Sequence, residues 1–193
     1  MAEQPAGPVQ PDCWIVVRDP VMTTVVSYLA AGDNPAAHAV LARAREVLFW
    51  KSDNPIAAAA GGYVLLANWP GIAEKAEERQ PAWLRWIGNL FRRFDWLPDG
   101  AIQLAWLKLL GVRPRGPETP PPRDLVLEAC RRGIPYYTAG VKMLLDSLVL
   151  LTNQAYKHGR DIELEAALTG TRELGLQVEP WQPFTTLRLN PRS

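Results

Sequence analysis

Residues 56–66 read IAAAAGGYVLL, a run without a single charge. Its alanine content favours helix over strand. A helix that is apolar on every side belongs in an interior, because it has no face to offer water. Gly61 and Gly62 each cost roughly 1 kcal/mol against alanine within a helix, so a close approach of neighbouring backbones is the expected compensation. Asp53-Asn54-Pro55 supplies the start. A side-chain oxygen can accept from an orphan N–H of the first turn, and proline suits the first helical position, where its missing N–H is not needed. The sequence therefore predicts a central buried helix over about 55–68.

The same Asp-Asn-Pro triplet at 33–35 predicts a helix running to about Lys51, apolar at Ala37, Val40, Leu41, Ala44, Val47 and Leu48. The stretch 21–33, closed by Gly32, reads as another helix despite its β-branched residues. Further helices are predicted over 82–94, 101–111, 124–133, 141–159 and 160–175, the last with Gly170 as a candidate break. The segment WPGIAEKAEERQP reads as a turn plus a solvated charged stretch, and DWLPDG as a tight connection. Two β-prone runs, 13–19 and 184–189, could pair with each other or form irregular tails.

The expected fold class is all-α, with seven or eight helices. Antiparallel helical hairpins would stack as a short solenoid or an irregular bundle, with short β-prone segments near both termini. The spacing between the two Asp-Asn-Pro triplets is one helix plus one turn, too short for a helical-hairpin repeat of roughly 33–47 residues. Better units are 33–68, 82–111 and 124–157. Residues 1–12 are expected to be a disordered lead-in. Residues 13–193 form one helical domain, with the proline-rich loop VRPRGPETPPPR at 112–123.

Composition excludes several classes of function. The net charge of +1 offers no bulk field to attract nucleic acid or an anionic membrane. No run approaches the length of a charge-free membrane span, and the N-terminus lacks the features of a signal peptide. Two cysteines, Cys13 and Cys130, are no disulfide framework, so reduced thiols in a cytoplasmic protein are the simpler reading. No CxxC, HExxH or phosphate-binding loop occurs, so no metal and no cofactor are expected. Asp161, Glu163 and Glu165 would diverge around a helix and read as a solvated face. A Cys130–His158 dyad is a conceivable nucleophile and base. A buried thiol and a histidine capping a helix end explain the same residues more simply.

The eight tryptophans are the unusual number. Tryptophan and arginine are common anchors of protein interfaces. Trp83, Trp86, Arg92, Arg93 and Trp96 are therefore the candidate protein-binding residues, with core packing as the competing explanation. Interleaved Arg85, Trp86, Arg92 and Arg93 could also bind a single nucleic-acid strand through the 83–93 helix. Nucleic acid is disfavoured because these aromatics fall on an apolar helical stripe.

The order DNPIAAAAGGYVLL, WLPDG, RRGIPYYTAGVKMLLDSLVLL, PFTTLRL resembles a helical, tetratricopeptide-like region of uncharacterised bacterial proteins, some linked to caspase-like peptidases. The resemblance spans 33–189 and contains no catalytic motif. It implies a helical regulatory or scaffolding piece without peptidase activity of its own. The expected function is thus a non-enzymatic adaptor or regulatory module of a bacterial cytoplasmic system. Its partner would be another protein, a caspase-like peptidase or other effector. The alternatives are a cysteine-dependent enzyme using Cys130 and His158, or a single-strand binder.

Overall fold

The computed structural model describes residues 17–31, 38–75, 81–112, 118–157 and 159–188. Among these residues the chain forms nine helices. They are α1 (Pro20–Ala31), α2 (His38–Phe49), α3 (Pro55–Ala67), α4 (Trp69–Lys75), α5 (Ala82–Arg93), α6 (Pro98–Leu109), α7 (Pro122–Arg132), α8 (Thr138–Ala155) and α9 (Ile162–Gln177). The lead-in 1–12, the triplet at 33–35, Cys13, His158 and part of the proline-rich loop lie outside the described residues.

Local chemistry accounts for the helix starts. Asp19 Oδ1 accepts from Val21 N at 2.8 Å and stands before Pro20. Asn54 Oδ1 accepts from Ala57 N at 2.9 Å, with Pro55 behind it. Asp161 caps α9 through Leu164 N at 3.2 Å. Two starts differ from the expectation. WPGIAEK coils into the short helix α4 rather than a turn. The DWLPDG connection ends early, because Pro98 and Asp99 already belong to the first turn of α6. Gly170 does not interrupt α9.

α3 is enclosed as its composition demands: every residue from Ala57 to Leu66 is buried. α1, α2, α5 and α6 surround it. α6 is a second interior rod, buried from Pro98 to Ala105, and lies against α3, α5, α7 and α8. The result is an all-α bundle around two central helices. Full burial of Tyr63, Val64, Leu65 and Leu66 contributes about 1.5–3 kcal/mol per side chain relative to exposure.

The glycines of α3 set how closely its neighbours approach. A side chain at Gly61 would meet Val47 Cγ2 at 2.6 Å as well as the Ala44 carbonyl of α2. At Gly62 it would meet the Gln103 amide carbon of α6 at 2.7 Å. Gly100 plays the same part where α6 crosses the end of α5, since a side-chain carbon there would lie 2.9 Å from Phe91 N.

The 184–188 run finds partners within the second half of the chain. Phe184 bridges antiparallel to Tyr137, and Leu187 to Val178. Thr185 N donates to Tyr136 O at 2.9 Å, and Arg188 N to Gln177 O at 2.7 Å. Of the 13–19 run, the described residues Val17–Asp19 are irregular.

Gly61→Ala should destabilise the fold by about 1–3 kcal/mol through overpacking. Gly170→Ala, at an exposed helical site with open space around it, should stabilise it by about 0.5–1 kcal/mol. Urea unfolding of the two variants checks the opposite signs.

Candidate functional site

The interior holds a polar cluster that the sequence did not announce. Asp99, fully buried in the first turn of α6, accepts from Tyr63 Oη at 2.8 Å and from Tyr136 N at 3.1 Å. One helical turn on, Gln103 Nε2 donates to Ala59 O at 2.7 Å. Tyr137 Oη donates to Ile56 O at 2.9 Å, and its ring meets Tyr63 edge-to-face at 6.1 Å. These bonds tie α3, α6 and the start of α8 together. Burial pushes the Asp99 carboxyl up to about 6, although the donors Tyr136 N, Tyr63 Oη and Tyr137 N pull it down. Burial and the neighbouring Asp99 raise the Tyr63 and Tyr137 hydroxyls far above their usual range. The cluster is closed to solvent, so its work is cohesion. Two polar residues one turn apart, Asp99 and Gln103, in the largely apolar first two turns of α6 were the available signal.

A second polar device seats α7. Arg132 Nη1 donates to the carbonyls of Phe91, Phe94 and Leu97 at 3.1–3.2 Å, its Nε to Glu128 at 2.8 Å, and its guanidinium covers the Phe91 ring at 4.7 Å. It serves the carboxyl end of α5, where the backbone leaves carbonyls unsatisfied.

The surface feature is an aromatic and cationic face where the end of α2 meets α5. Phe49 is 50% exposed and Trp50 57% exposed, a costly arrangement for such side chains. Phe49 lies edge-to-face between Trp50 at 5.2 Å and Trp86 at 5.1 Å. Lys51 Nζ sits over the Trp86 ring at 5.9 Å and donates to Phe49 O at 3.4 Å. Arg93 Nη1 reaches across from α5 to Ser52 Oγ at 3.1 Å. At about 100° per residue, Arg85, Trp86, Asn89, Arg92 and Arg93 fall within about 120° of arc on α5. Burial lowers the proton affinity of Lys51, and Arg93 and Arg85 lower it further.

The sequence-predicted binding residues divide. Trp83 is only 2% exposed and packs on Trp69 at 5.7 Å, so it serves the core and offers a partner no surface. Trp86 is half-buried and joins the face together with Arg93. Arg92 is exposed and held by Asn89 Oδ1 at 2.7 Å. Trp96, 45% exposed, lies past the end of α5 against Phe94 and Tyr136. Phe49, Trp50 and Lys51 were missed. Their signal was an aromatic pair placed after the last stripe residues Val47 and Leu48 and before the Asp-Asn-Pro break.

Cys130 is half-buried, and burial raises its thiol pKa, which opposes thiolate formation. Among the described residues no group of His, Cys, Asp and Glu could hold a metal ion, and no helix is long and apolar enough to cross a membrane.

A family model, the Y4kD C-terminal domain, matches residues 24–188. No curated protein and no solved structure matches the chain.

The Asp99 carboxyl makes stability depend on pH. In the unfolded chain it ionises near 3.8, in the fold at about 6. Between those values the fold retains a proton that the unfolded chain has lost. The contribution is complete below about pH 4 and is lost as pH rises through 6, a change of about 3 kcal/mol. Asp99→Asn should remove this pH-dependent contribution, flattening the difference between pH 4.5 and pH 7 relative to wild type (values chosen to bracket the titration, about 6). Urea titrations of both proteins at the two pH values measure it.

Proposed function

We propose, on the premise that the chain belongs to the Y4kD C-terminal domain family, that it works by binding another protein and performs no chemistry itself. The observation that carries the reading is the cluster of Phe49, Trp50 and Trp86 at the surface, with arginines beside it. Aromatic and arginine side chains supply most of the energy of typical interfaces. Phe49 and Trp86 stand on helices, which limits the conformational freedom lost on docking, and Trp50 follows directly at the end of α2.

The stacking of helices supports a scaffold of tetratricopeptide-like shape. α2 lies on α5 and α3 on α6, hairpin against hairpin. The partner we favour is a caspase-like peptidase or another effector in a bacterial cytoplasm, the assignment implied by the resemblance of 33–189. The raised thiol of Cys130 speaks against the cysteine-enzyme alternative.

Affinity capture from the native host, with the chain as bait, tests this reading. Wild type should retain a partner that Trp50→Ala/Trp86→Ala loses by about thirtyfold, the effect of removing hot-spot anchors. Circular dichroism should show both proteins equally helical. The single Trp50→Ala variant removes an exposed ring alone and guards against a folding defect in the double variant. Equal capture by all three proteins, or no specific capture by wild type, would overturn the proposal.

A further inference from the structure

We infer that the α5 face docks an acidic segment of the partner protein, its carboxylates meeting Arg85, Arg92 and Arg93. This deepens the reading above and rests on it. Six of the described arginines find counter-charges within the chain. Arg43 pairs with Glu46, Arg123 with Asp161 and Glu163, Arg131 and Arg132 with Glu128, Arg160 with Glu165 and Arg188 with Glu179. Arg18, Arg45 and Arg172 form no such pair among the described residues either, but they lie on three separate segments, whereas α5 gathers three arginines on one arc. Arg92 is held by the neutral Asn89 and Arg93 by the neutral Ser52. Among the described residues no carboxylate forms an ion pair with Arg85, Arg92 or Arg93.

Two bland explanations of these arginines fall short. Basic residues in a last turn can serve the helix dipole, and Arg92 and Arg93 stand there. The carbonyls at that end, however, already accept from Arg132, which brings its own counter-ion in Glu128. A solvated basic face needs no exposed aromatic rings, yet this one adjoins Phe49 and Trp50. Here Lys51 stands close enough to feel the positive potential of Arg93 and Arg85, although its own burial is the larger cause of its lowered proton affinity. An arriving carboxylate cancels that potential, while Phe49 and Trp50 offer apolar area beside the charges.

The geometry selects a protein over a nucleic-acid strand. About 10 Å of helix axis separates Arg85 from Arg92. A partner helix spans that distance with acids at i, i+4 and i+7. A single strand needs free ring faces on which to stack. Phe49 meets Trp86 edge-to-face and Lys51 covers a face of the Trp86 ring, so Trp50 alone offers an exposed ring beside them, and the chain's net charge of +1 offers no wider field for a polyanion.

The test uses a fluorescein-labelled helical peptide with Glu at i, i+4 and i+7 and Leu between, read by anisotropy at low salt against the whole chain. Binding should weaken about tenfold in Arg85→Gln/Arg93→Gln, weaken with added salt, and stay unchanged in Arg160→Gln, which alters an ion pair on α9. Equal binding by the α5 variant would overturn the inference. So would tighter binding of an oligothymidine, or self-association that the α5 substitutions abolish, which would make a second copy the occupant. Failure of the peptide to bind would overturn it too. If the aromatic substitutions still abolish partner capture in that case, docking through this face stands and only the recognition of acids falls.

Discussion

An uncharged helix has to be surrounded, and this requirement organises the bundle. α3 exposes no face that water would tolerate, so α1, α2, α5 and α6 close around it. Its glycines let α2 and α6 approach to distances that a side chain would forbid. Close packing in turn makes the interior unforgiving, because van der Waals contact is lost over fractions of an ångström. The Tyr63–Asp99–Gln103 bonds add direction to this apolar enclosure. They fix the rotation of α6 against α3 and anchor the start of α8 through the backbone of Tyr136.

The bundle explains why the aromatic face is where it is. α2 must run past α3 to cover it, and its end projects Phe49 and Trp50 beyond the core. α5 buries Trp83, Leu84, Ile87 and Leu90 and turns its arginines outward beside them. The proposed docking face is therefore the outer surface of two of the helices that enclose the central rod, together with the turn that follows α2. Its helical residues are held by the same packing.

The α3 helix was legible because absence of charge on all sides has one structural meaning, and α5 because its polar and apolar faces alternate with the helical period. The start of α6 was hidden. Pro98-Asp99-Gly100 has the composition of a turn, and the groups that make Asp99 tolerable inside, Tyr63 and the backbone of Tyr136, lie more than thirty positions away in sequence. The pairing of 184–188 with Tyr137 and Val178 was hidden for the same reason. On α5, Trp83 and Trp86 share the apolar stripe, yet Trp69 covers one and the end of α2 leaves the other half open. Periodicity names the face of a helix, while tertiary neighbours decide how far along it burial extends.

Native-state hydrogen exchange measures the enclosure of α3 directly. The amides of Ala57–Leu66 should exchange only through global unfolding, together with those at the centre of α6 and with the full unfolding free energy. The amides of α1 and α4 should open earlier, through local fluctuations. Amides of α3 that exchange as readily as those of α1, through openings well below the global free energy, would contradict the account of an interior rod on which the other helices depend.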